Sequence, residues 1–310
     1  MSARRVVITG LGVVAPCGIG KDAFWSGLLG PGLSGGKWVK IEDWDPLAYF
    51  ENAKEARRAD RVEQFALAAA GEAFEHAGGM SGIDVDPNRF GVIFGTGVGG
   101  LSTLEEQVQI LLEKGERRVS PFLVPMMMAN ASGAAISMRY GLQGPNETIC
   151  TACAASTHAL GYAARLIQSG RCDAIVSGGT ESAGTPSALA GFNNMTALSS
   201  SGRSRPFDKD RDGFVMGEGS AVFILEERSH AVARGATILG EILGSASNAD
   251  AHHITAPAPG GRGAIRCMEL ALEDAGLTAR DIVAINAHGT STPLNDAAEA
   301  AAVSALFPHR

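Results

Sequence analysis

The sequence has little of what a membrane, nucleic-acid-binding or secreted protein would carry. No apolar run approaches the ~18 residues of a membrane span, so we predict none. Its 26 lysines and arginines are outnumbered by 33 acidic residues, for a net charge of −7, and no basic stripe favours a nucleic-acid partner. The start, MSARRVVITGLG, lacks the apolar run and cleavage site of a secretory signal.

Cysteines and aromatic residues are also scarce. The five cysteines are odd in number and irregularly spaced, which predicts reduced thiols and a cytoplasmic location. Aromatic residues make up only 6% of the chain, whereas there are 40 glycines, a composition that indicates tight turns and close backbone packing. With 310 residues, 45% of them hydrophobic, the chain is long enough for one or two domains.

Apolar runs and helical patterns alternate along the chain. The runs predict buried strands at residues 4–9, 89–94, 173–179, 221–227 and 281–287. Helices are predicted from a capping box at Asp60-x-x-Glu63 to Gly78, from a second box at Ser102-x-x-Glu105 to Gly115, over 153–167 and over about 262–275. In the second helix the residues expected to face inward are Leu104, Val108, Leu111 and Leu112. This alternation predicts an α/β fold with a largely parallel sheet.

Two stretches suggest internal repetition. RFGVIFGTG and DIVAINAHGT each consist of a strand followed by a glycine-rich turn. We therefore predict two related βαβ-rich halves, residues 1–232 and 233–310, of which the second is much the shorter.

Three motifs point to cofactors only weakly. Residues 10–15 (GLGVVA) and 95–100 (GTGVGG) resemble dinucleotide loops, but neither is followed at about 20 residues by the acid that ends the second strand of such a unit. Close strand–helix packing explains their glycines better. Residues 208–213 (DKDRDG) begin like a calcium loop, yet the twelfth position is Gly219 rather than a glutamate. A structural loop held by salt bridges is the favoured interpretation, and we predict no metal.

The stretch TICTACAAST holds cysteines at 150 and 153. The pair could be a redox couple, half of a zinc site, or one nucleophile beside a bystander, and an inert buried thiol remains an alternative. Zinc would need two further ligands at a suitable spacing. We expect Cys150 to end a buried strand and Cys153 to begin a helix, whose dipole raises the thiolate fraction. The nucleophile is the favoured interpretation.

The stretch NAHGTSTPLND, residues 286–296, offers a partner for such a nucleophile. His288 is expected at the end of a strand, where it could donate a hydrogen bond to a developing oxyanion or enolate. Thr290 and Thr292 could bind amide groups of an extended substrate. The alternative is that His288 is a simple turn residue.

Several long motifs occur together and in one order. They are RRVVITGLGVVAP, FGTGVGG, SPFLVPMMMANASGAAISMRYGLQGP, TACAAS, VSGGTES, SRPFDKDRDGFVMGEGSAVFILEE, HAVARGA and NAHGTSTPLND. With them the sequence resembles the β-ketoacyl-[acyl-carrier-protein] synthases, the type II elongating condensing enzymes with the thiolase fold. This resemblance implies a thiolase-like α/β fold.

The resemblance implies roles for the central residues. Cys153 matches the acylated nucleophile, which makes Cys150 the bystander. His288 matches the first of two active-site histidines, which help to decarboxylate the malonyl unit and to stabilise the enolate. Thr290 and Thr292 match residues that contact the phosphopantetheine arm.

It also implies roles for more distant residues. Phe192 matches a residue that lines the catalytic entrance, and Val98 one at the acyl pocket near the dimer interface. Lys54, Arg57 and Arg58 match a basic stretch that faces the acidic carrier protein, although a solvated start of a helix would look the same.

The implied reaction is a decarboxylative Claisen condensation in fatty acid or polyketide elongation. Its partners are an acyl carrier protein and its acyl and malonyl thioesters, and its form is a homodimer. No metal or organic cofactor is implied, because the phosphopantetheine belongs to the carrier protein.

The resemblance is not complete. The family continues past AAVSALFPHR with a segment that supplies a lysine and the second histidine, and with a terminal glycine-rich loop; no residue here matches them. We therefore expect an incomplete second half and little or no condensing activity from this chain by itself. The alternatives are a non-catalytic fragment or partner subunit of a condensing-enzyme dimer, or a redox protein that uses Cys150 and Cys153.

Overall fold

The structure is a computed structural model and describes residues 4–33 and 35–308. The chain forms two compact units. Of the described residues, those within 1–32, 40–188 and 217–242 form the first, and those within 33–39, 189–216 and 243–310 form the second. No helix within the described ranges is long and apolar enough to cross a bilayer.

The first unit contains one mixed sheet of seven strands. The strands are β1 (Val6–Ala15), β2 (Gly18–Ile19), β3 (Phe90–Gly95), β4 (Asn146–Ile149), β5 (Ala174–Glu181), β6 (Gly219–Glu227) and β7 (Gly240–Ile242). Their order is β2-β1-β6-β5-β3-β4, and β7 also pairs with β1. Four of the five predicted strands are therefore present, and the α/β class is confirmed.

The helices lie between these strands and in the second unit. They are α1 (Lys21–Leu28), α2 (Ala53–Ala56), α3 (Arg61–His76), α4 (Leu101–Lys114), α5 (Leu123–Met127), α6 (Ala131–Tyr140), α7 (Ala155–Gln168), α8 (Pro186–Asn194), α9 (Arg228–Ala233), α10 (Arg262–Ala275) and α11 (Pro293–Leu306). The helices predicted over 153–167 and 262–275 are confirmed as α7 and α10, each ending before a glycine of positive φ.

The expectation of a largely parallel sheet needs correction. Only β3 pairs in parallel, with β4 and with β5, whereas β1 pairs antiparallel with β2, β6 and β7, and β5 does so with β6. An apolar run carries no sign of strand direction, since buried strands of both kinds are apolar on both faces. The sequence could not distinguish the two cases.

Helix α3 forms the centre of the larger core and begins as predicted. The Asp60 carboxylate accepts from the N–H of Val62, and the Glu63 carboxylate accepts from the N–H of Asp60, which completes the capping box. At Gly10 and Gly12 a β-carbon would lie 2.2 and 2.0 Å from backbone oxygens of α3. The glycines of GLGVVA therefore allow close strand–helix packing, which confirms the interpretation made from the sequence.

Helix α4 differs from its prediction. It begins after Gly100 without a side-chain cap, and the Glu105 carboxylate instead accepts from the backbone N–H (3.1 Å) and the hydroxyl (2.8 Å) of Ser187. The residues expected to face inward are exposed by 37, 43, 45 and 80%: Leu104, Val108, Leu111 and Leu112. Periodicity revealed an apolar face correctly but did not reveal whether this chain covers it.

The second unit lacks the strand predicted over 281–287. After a 3-10 turn at Ala279–Asp281 the backbone has no regular structure up to α11, and Val283 is 83% exposed. A strand needs a hydrogen-bonded neighbour, and none of the described residues pairs with this segment. His288 therefore lies in a loop rather than at the end of a strand.

The segment that resembled a calcium loop is a structural loop held by salt bridges, as predicted: Arg205 pairs with Asp212 at 3.5 Å and Arg211 with Asp296 at 3.6 Å. The Asp212 carboxylate accepts from the hydroxyls of Ser199 and Ser200 at 2.8 Å and from the N–H of Ser201 at 2.9 Å. These hydrogen bonds lower the pKa of Asp212. Among the described residues no group of three or more histidine, cysteine or acidic side chains could hold a metal.

Candidate active site

Cys153 lies at a sharp corner of the first unit. The chain leaves β4 at Ile149, makes a 3-10 turn over Ala152–Ala154 and enters α7 at Ala155. Ala152, the residue before the thiol, has a φ of +52°, a conformation that costs about 1 kcal/mol or more for a residue other than glycine. This strained strand–turn–helix corner presents Cys153 two residues before the first turn of α7, at the positive end of the helix dipole.

Two glycines allow the start of α7 to approach the sheet. A β-carbon at Gly95 would lie 2.5 Å from the backbone of Ala155, and one at Gly179 would lie 1.9 Å from the hydroxyl of Ser156. Gly95 ends β3 and Gly179 lies in β5, the two strands under this end of the helix. The glycines of FGTG and VSGG thus fix the position of the thiol corner, which accounts for Gly95 of the motif GTGVGG without a dinucleotide.

The two cysteines of the pair differ from the expectation in one respect. Both are exposed and neither forms a disulfide. Cys150 follows β4 by one residue instead of ending a buried strand, because β4 lies at a sheet edge and is itself partly exposed. His158, on α7, has its Nδ1 2.8 Å from the hydroxyl of Thr151. It is a hydrogen-bonded histidine of the corner.

Val98 lies in the loop between β3 and α4 and is 50% exposed. The loop is held by the Glu181 carboxylate, which accepts from the N–H of Gly97 at 2.6 Å and from the hydroxyl of Thr96 at 3.3 Å. Burial raises the pKa of Glu181, although these hydrogen bonds oppose the shift. The side chain of Val98 therefore projects from a loop whose backbone is fixed.

In the second unit, His288 is held through its backbone. Its N–H donates to the Glu299 carboxylate at 2.7 Å, and the N–H of Gly289 donates to the other oxygen at 2.8 Å. Glu299 lies on α11, eleven residues further on. The carboxylate thereby fixes the turn that carries the exposed imidazole.

The turn after His288 is tied to the rest of the unit by a buried residue. Ser291 has a φ of +64° and is fully buried. Its N–H donates to the Asp296 carboxylate at 3.1 Å, and its hydroxyl accepts from the N–H of Arg205 at 2.8 Å. The hydroxyls of the residues on either side, Thr290 and Thr292, hydrogen-bond to each other at 2.7 Å. The turn therefore presents two linked hydroxyls next to the histidine.

These side chains share one cleft within the second unit. A cleft of about 660 Å³ is lined by His288, Thr290 and Thr292 together with Phe214, Asp250 and residues 253–257. Phe192, which is half-buried on α8, meets the ring of Phe214 at 5.5 Å in an edge-to-face contact. The second unit thus brings together four of the residues that the sequence singled out.

The basic stretch forms the short helix α2 and its exit in the first unit. Asn52 caps it by accepting from the N–H groups of Lys54 and Glu55. Lys54, Arg57 and Arg58 are all exposed, and the guanidinium of Arg58 lies 4.2 Å from the centroid of the Phe122 ring. Three cations are therefore presented to solvent from one turn.

Two protein-family models match most of the chain. The family model described as "Beta-ketoacyl synthase, N-terminal domain" matches residues 31–231, and the one described as "Beta-ketoacyl synthase, C-terminal domain" matches residues 239–310. The chain belongs to the β-ketoacyl synthase family. It is therefore an acyltransferase of the class that forms carbon–carbon bonds, and the resemblance seen in the sequence is confirmed.

Individual β-ketoacyl synthases match over nearly the whole chain. A 3-oxoacyl-[acyl-carrier-protein] synthase 2 of Synechocystis sp. is 45% identical over 322 residues, which cover 98% of this chain and 77% of the relative. The protein of the same name from Vibrio cholerae is 43% identical and covers 96% and 76%.

Solved β-ketoacyl synthase structures confirm the fold. The crystal structure of a β-ketoacyl synthase from Burkholderia phymatum STM815 has a TM-score of 0.88 at 33% identity, covering 98% of this chain and 78% of that one. A type II polyketide acyl-carrier protein in complex with its ketosynthase, AntDE:AntF, gives 0.87 at 31% identity, covering 99% and 79%. The thiolase-like fold predicted from the resemblance is therefore confirmed.

Two residues that fix this site were not singled out from the sequence. Asp296 and Glu299 accept from backbone N–H groups of the turn that carries His288. Asp296 ends the quoted motif NAHGTSTPLND, and Glu299 lies one helical turn beyond it. Acids in the first turns of a helix that follows a polar loop were the available signal, since they can satisfy that loop's N–H groups.

Proposed function

We propose that this chain is a 3-oxoacyl-[acyl-carrier-protein] synthase of fatty acid elongation, with Cys153 as the acylated nucleophile. The observation that supports it best is the position of Cys153, exposed on a strained corner before α7 in a chain of this family. Fatty acid duty is favoured over polyketide duty because relatives named as these synthases are 41–45% identical, whereas the polyketide ketosynthase is 31% identical.

The reaction has two halves. The Cys153 thiolate attacks the acyl thioester of an acyl carrier protein, which forms an acyl-cysteine and releases the carrier thiol. The carboxyl–carbon bond of a malonyl-carrier then breaks, giving carbon dioxide and an enolate. The enolate carbon attacks the acyl-cysteine carbonyl, so that a carbon–carbon bond forms, the carbon–sulfur bond breaks and the thiolate returns. No step requires a metal or an organic cofactor.

The other residues receive roles in this scheme. His288 donates a hydrogen bond to the oxygen on which the enolate charge develops, a role suited to an imidazole fixed through its backbone. Thr290 and Thr292 bind the phosphopantetheine arm. Phe192 borders the entrance, Val98 limits the acyl pocket, and the division into halves at 232/233 follows the family.

The partners and location belong to the same proposal. Lys54, Arg57 and Arg58 bind the acidic surface of the carrier protein. A second copy of the chain completes a homodimer; two features support this, the edge strand β4 and the exposed apolar face of α4. The reduced thiols suit a cytoplasmic location.

The test is an intact-mass measurement with peptide mapping after incubation with an acyl-carrier thioester. We expect the mass of one acyl group on the peptide that contains Cys153. Cys153→Ala should abolish the adduct, whereas Cys150→Ser should keep it. If the folded wild-type protein gains no acyl group, or gains one on Cys150, the proposed nucleophile is wrong.

A further inference from the structure

His253 is a second imidazole in the cleft that contains His288. The cleft is lined by both histidines and by Thr290 and Thr292, and all four residues belong to the second unit. His253 lies on the loop 250–257, which lines this cleft together with the turn 288–292. Its place gives it access to whatever occupies the cleft.

The ring of His253 is held in one tautomer. Its Nδ1 accepts hydrogen bonds from the backbone N–H groups of Thr255 and Ala256, both at 3.1 Å. A nitrogen that accepts two N–H groups carries no proton, so the proton of the neutral ring is on Nε2. Nε2 of His253 is therefore a hydrogen-bond donor, while Nδ1 accepts from the loop.

The loop that carries this donor is itself fixed at its base. The Asp250 carboxylate accepts from the N–H of Ala258 at 2.7 Å, which closes the loop across seven residues. Ala251, next to that anchor, has a φ of +47°, and such strain persists only where the surrounding structure imposes it. The donor thus has a defined position before any ligand arrives.

The position of His253 indicates which part of a substrate it meets. The residue is exposed, and the next one, Ile254, is 94% exposed, so this part of the loop lies at the solvent end of the cleft. One of the hydroxyls of Thr290 and Thr292 donates its proton to the other, so this pair offers a ligand a single hydroxyl donor. A long arm with two amides would bring a carbonyl oxygen to the solvent end that needs a further donor.

We propose that His253 is a positioning residue that donates from Nε2–H to the outer amide carbonyl of the phosphopantetheine arm. This inference rests on the proposed function, because it assumes a carrier-bound thioester as the substrate.

Two substitutions separate the donor from the loop. In His253→Asn the side-chain oxygen can still accept from the N–H groups two and three residues ahead, but the distal donor is lost. In His253→Gln an amide N–H reaches about as far as Nε2. The rate of Cys153 acylation is measured by intact mass with an acyl-carrier thioester and with an acyl-N-acetylcysteamine thioester, which lacks the outer amide.

We expect His253→Asn to lower kcat/KM about fivefold to tenfold with the carrier substrate, the worth of one hydrogen bond. With the short thioester it should change less than about twofold, and His253→Gln should recover most of the loss. Equal losses with both substrates, or no loss with either, would overturn the inference. Circular dichroism and thermal melting report whether each variant is folded.

A binding measurement separates this inference from the proposed function. Wild-type protein that neither thioester acylates contradicts the proposed function. Titration with pantetheine, followed by calorimetry, needs no acylation, and His253→Asn should weaken this binding about fivefold to tenfold. Equal Kd values for wild type and His253→Asn would overturn the role of His253 whether or not Cys153 is acylated.

Discussion

The Glu299 carboxylate accepts the backbone N–H of His288 at 2.7 Å and so ties the turn to α11. In Glu299→Ala this N–H and that of Gly289 lose their acceptor. Each unsatisfied donor costs about 1–3 kcal/mol of stability unless a water molecule takes the place of the carboxylate. We expect malonyl-dependent condensation to fall at least about tenfold below the level that the wild-type chain itself reaches, because the imidazole loses its fixed position.

The same variant should still acylate Cys153 from the short acyl-N-acetylcysteamine thioester at about the wild-type rate, since Cys153 and its corner lie in the first unit and this substrate lacks most of the arm that Thr290 and Thr292 are proposed to bind. Product formation from malonyl-carrier and adduct formation by intact mass measure the two halves separately. Glu299→Gln keeps one acceptor oxygen and should lose less. A parallel fall of both half-reactions would show that Glu299 stabilises the fold in general rather than the turn of His288.

Glu63 predicts a pH dependence of stability. Burial raises the pKa of its carboxyl from 4.5 to about 8, and the N–H of Asp60 opposes the shift. Because the pKa of Glu63 is higher in the folded than in the unfolded protein, the contribution of Glu63 to the free energy of unfolding is fully present below pH 4.5. It is lost as the pH rises through about 8. The free energy of unfolding should therefore fall over this range through Glu63.

Glu63→Gln removes this titration and keeps an acceptor for the capping box. The free energy of unfolding is measured with urea at pH 5 and at pH 9. Between these pH values the variant should become more stable relative to wild type by on the order of 3 kcal/mol. Glu51→Gln is the matched control, because Glu51 is exposed and lines the same cleft beside α2. A flat difference between Glu63→Gln and wild type would contradict the raised pKa.

The stability of the protein should respond very differently to one added methyl group at Gly12 and at Gly82. A β-carbon at Gly12 would lie 2.0 Å from the backbone oxygen of Ala69, whereas one at Gly82 would meet nothing within 4 Å. Gly12→Ala forces β1 and α3 apart and should cost about 2–3 kcal/mol, measured by urea unfolding. Gly82→Ala should change stability by less than about 1 kcal/mol. Similar values for both would show that the contact at Gly12 relaxes.

Local features of the fold could be predicted from the sequence, whereas features that depend on distant neighbours could not. The capping box of Asp60 and Glu63 formed because its hydrogen bonds span three residues. Ser102 and Glu105 have the same spacing, yet Glu105 accepts from Ser187, a partner 82 residues away that no local pattern indicates. The strand predicted over 281–287 failed for the same reason, since pairing depends on a neighbour.

The site shows the same division. Cys153 and His288 were predicted from their motifs, because a thiol before a helix and a histidine before a polar turn have recognisable local chemistry. Glu299 and His253 were not assigned roles from the sequence. Glu299 acts on the backbone of the His288 turn, and the tautomer of His253 is set by two backbone N–H groups of its own loop. Both depend on hydrogen bonds of N–H groups, which every residue but proline carries and no sequence pattern marks.

The basic helix α2 gives a prediction about the carrier protein. Lys54 and Arg57 are exposed. Reversing both charges should weaken the binding of an acidic partner by about 0.2–1 kcal/mol for each ion pair lost, and by more through charge repulsion. Lys54→Glu/Arg57→Glu should therefore lower kcat/KM for the acyl-carrier thioester about tenfold. Arg58 is left unchanged because its contact with Phe122 also supports the local structure.

The controls distinguish docking from chemistry. The double variant should react with the acyl-N-acetylcysteamine thioester like wild type, since that substrate has no carrier surface. Arg171→Glu, an exposed charge reversal just after α7 in the same unit, should leave the carrier reaction nearly unchanged. The effect should also shrink as salt rises, because exposed charges are screened over about 10 Å at 0.1 M salt. If Arg171→Glu weakens the reaction as much as the double variant does, net charge rather than α2 attracts the carrier.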